Sequence, residues 1–193
     1  EACDINVSEA MRACGVDEKH LKDPESRVPI ENIQKMIDYG NEALNTHDFA
    51  LTIAKHFHPG AFHVLGYAMM SSLSLKDALD RIAKYNRVLS NTCDITLDKC
   101  DQHYSFDVSI FKYKDTDRLV LTMNAIITYL GTVLRFSLAL VGTDLKLNKV
   151  YLSYEKPDYD TSFLDDFFHC PVEFGHKHSG ILFDAKLFET ELI

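Results

Sequence analysis

At Cys93 the spacing of apolar residues changes from the three-and-four rhythm of helices to strict alternation, and this switch constrains the fold more than any other feature. Before it, Ile30, Ile33, Ile37 and Leu44 follow helical spacing, with Pro29 suited to the first turn. Leu75, Leu79, Ile82 and Leu89 form the stripe of another helix, opened by Ser74 and Asp77 in a capping-box pattern. Val7 to Cys14 and about Asp48 to Lys55 read as shorter helices, and Asp23-Pro24-Glu25-Ser26 as a turn. His58-Pro59-Gly60 breaks the rhythm. Ala61 to Ser71 then reads as a helix apolar on nearly every side and hence buried, with Gly66 marking close packing.

Beyond the switch, Cys93, Ile95 and Leu97 alternate with polar residues, as do Tyr104, Phe106, Val108 and Ile110. These predict a hairpin joined through Lys99-Cys100-Asp101 with one buried face. Arg118 to Val141 predicts a long central helix stopped at Gly142. Val150 to Tyr154, Val172 to Phe174 and Ile181 to Phe183 predict further strands, with a short helix from Thr161 to Phe168. The expectation is an α+β domain spanning residues 1–193: a helical N-terminal half, then a small antiparallel or mixed sheet packed on the central helix.

With 193 residues, 46% of them apolar, the chain has material for a sizeable core. Its 20 basic residues are scattered among 29 acidic ones, a net charge of -9, which disfavours direct DNA binding by this polypeptide. No charge-free apolar run reaches the ~18–20 residues of a membrane span, and Glu1-Ala2-Cys3-Asp4 lacks the character of a signal peptide. A cytoplasmic protein without membrane contact is expected. The five cysteines are odd in number and lack CxxC spacing, so they read as reduced thiols without a structural metal.

No phosphate loop, nucleophile elbow or HExxH signature is present, which points away from enzymes and from a cofactor. The pairs His56/His58 and His176/His178 read either as solvated loop histidines or as ligands of a metal-dependent enzyme. Asn124, Thr128, Thr132 and Arg135 repeat along one face of the central helix. That face is either solvated or lines a pocket between helix and sheet, where Arg135 would hold an anion. His63, Tyr67 and Met70 share a helix face and are read as ligand-binding or as core, and Tyr85, Tyr104 and Phe106 carry the same two readings. The candidate ligand-binding set is thus His63, Tyr67, Met70, Tyr85, Tyr104, Phe106, Thr128 and Arg135.

Several stretches together resemble a known family. Pro59-Gly60-Ala61-Phe62, Leu65-Gly66-Tyr67-Ala68-Met69-Met70-Ser71-Ser72 and Leu75-Lys76-Asp77-Ala78-Leu79 resemble the N-terminal effector domain of AraC-type transcriptional regulators, a group that includes ornithine-responsive regulators. Arg27-Val28-Pro29-Ile30 agrees, as does Phe167-Phe168-His169-Cys170-Pro171-Val172-Glu173-Phe174-Gly175 leading into Ile181-Leu182-Phe183-Asp184. The resemblance implies a small-molecule effector, and a C-terminal pair of helix-turn-helix motifs beyond Ile193 that contacts DNA. It also makes a homodimer the expected assembly. A ligand-free oligomerisation module of the same regulator is the alternative.

Overall fold

The computed structural model describes residues 5–21, 26–58, 60, 63–142 and 145–188, leaving aside the side chains of 21, 63–65, 89 and 187. The helices of the first half are α1 (Val7–Ala13), α2 (Ile30–Leu44), α3 (Phe49–Lys55), α4 (His63–Met70) and α5 (Leu75–Leu89), with a 3-10 turn at Glu18–Leu21. The turn expected at residues 23–26 and the start of the helix expected from residue 61 fall largely outside the described residues.

Local capping accounts for the boundaries. Asn6 accepts the Glu9 amide at the head of α1, and Ser74 accepts that of Asp77 at the head of α5. Asp77 in turn accepts the Leu73 amide, closing a reciprocal cap. Asn45, left-handed at φ 50°, ends α2 by returning its amide to the carbonyls of Asn41 and Glu42.

The sheet comprises β1 (Cys93–Cys100), β2 (His103–Ile110), β3 (Leu147–Tyr151), β4 (Val172–Glu173) and β5 (Ser179–Asp184), in the order β1-β2-β5-β3-β4. All neighbours are antiparallel except β3 and β4, so the sheet is mixed. In register, Leu97 faces Phe106 and Phe106 faces Ile181, while Tyr104 faces Phe183. The alternation in β2 buries Tyr104, Phe106 and Val108 on one face. The rest is helical: α6 (Met123–Val141), α7 (Ser162–Phe168) and a terminal turn α8 (Ala185–Phe188), whose Phe188 stacks on Tyr104 at 4.6 Å.

Helix α6 starts five residues later than its apolar run predicts. Residues 118–121 instead fold back along the end of β2: Tyr113 donates its amide to the Arg118 carbonyl and Val120 to that of Phe111, with a bridge at Lys112 and Leu119. Thr122 then caps the helix by accepting the Ala125 amide, its own amide donating to Gln34 Oε1 on α2 at 2.5 Å. By length and composition α6 is apolar enough to cross a membrane. Here it is a core helix, burying Ile126, Leu130, Val133, Leu134 and Phe136 between the sheet and α3.

Contact between α3 and α6 is close because position 131 is glycine. A Cβ there would lie 2.8 Å from Ala54 Cβ, so any side chain at 131 would drive the two helices apart. The main core joins α2 to α6 with the sheet, whereas Met11, Cys14 and Val16 form a separate small cluster with Val28, Met36 and Tyr39. Helix α1 is thus seated on α2 through a patch of its own.

Burial separates the thiols. Cys14, Cys93 and Cys170 are buried, which raises all three above the ordinary thiol range, Cys170 to about 11, while Cys100 is exposed. Brief treatment of the native protein with iodoacetamide at neutral pH is therefore expected to alkylate Cys100 and spare Cys14, Cys93 and Cys170 until the protein is unfolded. Peptide mapping by mass spectrometry checks this.

Candidate functional site

Helix α3 carries apolar residues on two faces. Ala50, Leu51 and Ala54 are buried on the α6 side, while Phe49 and Ile53, one turn apart, project to the other side with Phe57 following. On α2, Met36 and Tyr39 sit beside the buried stripe of Ile37 and point the same way. Gly40 allows the approach, since a Cβ there would fall 2.1 Å from the Phe49 ring.

Between these faces lies a cleft of about 590 Å³. Helix α1 supplies Val7 and Ala10 to its wall, preceded by Ile5, and α6 supplies Thr132. The size falls within the range of roughly 300–1,000 Å³ usual for small-molecule sites, and the lining is mainly apolar. Val7 and Ile53 remain 48% and 38% exposed, so among the described residues apolar surface here is left uncovered. The polar tips are few: Tyr39, Thr52 and Thr132, with His56 and His58 beyond the end of α3.

Of the eight sequence-predicted residues, the seven with described side chains do not line this cleft. Tyr104 and Phe106 are core, 4% and 0% exposed, and fill the space between sheet and helix where a pocket was expected. Tyr67 and Met70 are 71% and 55% exposed, which corrects the expectation that α4 is buried on nearly every side. Among its described side chains, those of 66–70, Gly66 and Met69 are buried, since α5 covers one side of α4 and leaves Tyr67 and Met70 to solvent. His63 opens α4, its side chain lying outside the description. Tyr85 is exposed beside Arg81 and Lys84 on α5.

The polar face of α6 is divided among separate tasks. Asn124 donates to Asp38 on α2 at 3.2 Å, and Thr128 donates to the Asn124 carbonyl at 2.9 Å. Thr132 alone reaches the cleft. Arg135 borders a second groove of about 400 Å³ that also contains Asp48, Lys55 and Asp166, so carboxylates share the space proposed for an anion.

The histidine pairs are apart. His56 and His58 stand at the cleft, whereas His176 bonds Glu173 at 2.9 Å near β4 and His178 approaches Ser109 at 3.3 Å. Lys149, also bonded to Glu173, holds that carboxyl below the usual range. Among the described residues no three of His, Cys, Asp or Glu converge as a metal site.

Residues 5–192 match the family model described as the arabinose-binding domain of AraC transcription regulators, N-terminal. The chain belongs to that family. As a fold, this AraC-type domain also resembles the crystal structure of the transcriptional regulator CdpR from Pseudomonas aeruginosa, with a TM-score of 0.61 at 16% identity. The match covers 96% of this chain and 55% of that one, so the AraC-type domain spans about half the length of its structural relative. A search of curated proteins finds no match. Both the family and the structural relative are regulators of transcription rather than enzymes.

Proposed function

We propose that this AraC-type domain is a non-catalytic cytoplasmic sensor, that its small-molecule effector occupies the cleft between α1, α2, α3 and α6, and that occupancy governs DNA engagement by a C-terminal domain of the same regulator. The observation that carries this reading is the cleft itself, with exposed Val7 and Ile53 in its wall. A largely apolar molecule would take that surface out of water, at roughly 25 cal/mol per Å² of apolar area buried.

Arabinose, named in the family description, is a poor match for this lining. Each sugar hydroxyl desolvated without a partner costs about 1–3 kcal/mol, and the walls are mostly Ile, Val, Ala, Met and Phe. The dispersed charge of this chain, -9 in total, supports placing DNA contact elsewhere in the regulator. Control by ligand requires only that the cleft favour one arrangement of α1 and α3 on α6, and a coupling of about 1–3 kcal/mol is enough.

A thermal-shift screen tests the proposal. An apolar ligand present at about 100 times its Kd adds about 2.7 kcal/mol. For a domain of this size that corresponds to a rise of roughly 5–10 °C. Alkylphenols, aromatic acids and medium-chain lipids are expected to include such a ligand, and arabinose to give no shift; a rise with arabinose alone sinks the reading.

Self-association is supported by a second surface. Tyr67, Met70 and Leu73, at the end of α4 and the turn into α5, are 71%, 55% and 78% exposed, and we assign this patch to a symmetric homodimer. Sedimentation velocity is expected to show a dimer that Met70→Lys dissociates; a monomer at all concentrations contradicts it.

A further inference from the structure

The two histidines at the cleft hold opposite tautomers through their backbone contacts, and this narrows the polar group an occupant can carry. His56 Nδ1 lies 2.9 Å from the carbonyl oxygen of Thr52. A carbonyl only accepts, so Nδ1 carries the proton and, in the neutral ring, Nε2 is a bare acceptor. At His58 the backbone amide of Gly60 donates to Nδ1 at 3.1 Å. An amide only donates, so this Nδ1 is bare and the proton sits on Nε2. Each ring thus spends its Nδ1 on the backbone, leaving one acceptor and one donor for an occupant of the same cleft.

Resting on the reading of the cleft as the effector site, we propose that the effector is an apolar molecule bearing a hydroxyl group, an alcohol or phenol, which donates to His56 Nε2 and accepts from His58 Nε2. A hydroxyl is the smallest group that does both. An ether or ketone accepts from His58 and leaves the His56 acceptor to water, forgoing one hydrogen bond. An ammonium donates to His56 and confronts the His58 N–H.

The test uses para-butylphenol and its methyl ether, para-butylanisole, which differ only in the ability to donate. Isothermal titration with the intact domain is expected to give the phenol about a tenfold lower Kd than the ether, equivalent to about 1.4 kcal/mol. His56→Ala is expected to remove that preference, because the acceptor is gone. His58→Ala is expected to weaken both probes by a similar factor, because both accept from its N–H. Both histidines are exposed, so the variants are expected to keep the parent melting temperature without ligand. Equal affinity of the wild type for phenol and ether overturns the hydroxyl assignment while leaving the cleft as an apolar site. Binding of neither probe at millimolar concentration overturns both.

Discussion

Truncating Phe106 to alanine is expected to cost the fold about 3–5 kcal/mol, the range for removing a large buried aromatic side chain. Tyr67→Ala, an equally large deletion, is expected to change stability by no more than about 0.5 kcal/mol. Phe106 has no solvent exposure, lies opposite both Leu97 and Ile181 in the middle of the sheet, and belongs to the core beneath α6. Tyr67 is 71% exposed on the outer side of α4. Domains of ordinary stability hold only about 5–15 kcal/mol, so the Phe106 variant retains little margin. Urea titration reads both: the midpoint falls steeply for Phe106→Ala at a nearly unchanged slope and stays in place for Tyr67→Ala.

Filling the cleft from α6 is expected to abolish the ligand response while leaving the fold intact. Thr132 is the contact of α6 with the cleft, and phenylalanine in its place would occupy volume that the effector needs. Thr132 is half-buried, and the new ring finds Phe49, Ile53 and Phe57 among the lining. The unliganded melting temperature is therefore expected to hold or rise, while the shift of roughly 5–10 °C with an apolar ligand disappears. Ile53→Trp blocks the cleft from the α3 side and is expected to behave alike. Retention of the full shift in both variants places the ligand elsewhere.

Much of the architecture is legible in short stretches of the chain. Ser74 and Asp77 announce the start of α5, and the alternation of Tyr104, Phe106 and Val108 announces the buried face of β2, because capping and pleating depend on neighbours in sequence. The start of α6 escapes this reasoning. Residues 119–121 are as apolar as the helix that follows, and the pairing of this segment with residues 111–113 holds it out of the helix. The exposure of Tyr67 and Met70 escapes it too, since composition gives the character of α4 but not which of its sides α5 covers.

The cleft was the least legible part. Its walls come from α1, α2, α3 and α6, and a gap between elements leaves no period in the sequence. Two signals pointed toward it. Phe49, Ile53 and Phe57 repeat every four residues beside the stripe that α6 buries, more apolar surface than one neighbour can cover. Thr132 stands in a helix otherwise apolar at that level, and of the polar stripe from Asn124 to Arg135 it alone faces the cleft.

The most direct measurement is methyl NMR of the domain, with methionine and isoleucine methyl groups labelled, titrated with para-butylphenol. Ligand in the cleft is expected to shift Met36, Ile5 and Ile53, which line it, and to leave Met70 on the outside of α4 and Ile181 in the sheet unmoved. Shifts centred on Met70, or none at Met36 and Ile53 at saturation, would contradict the assignment of this cleft as the sensor.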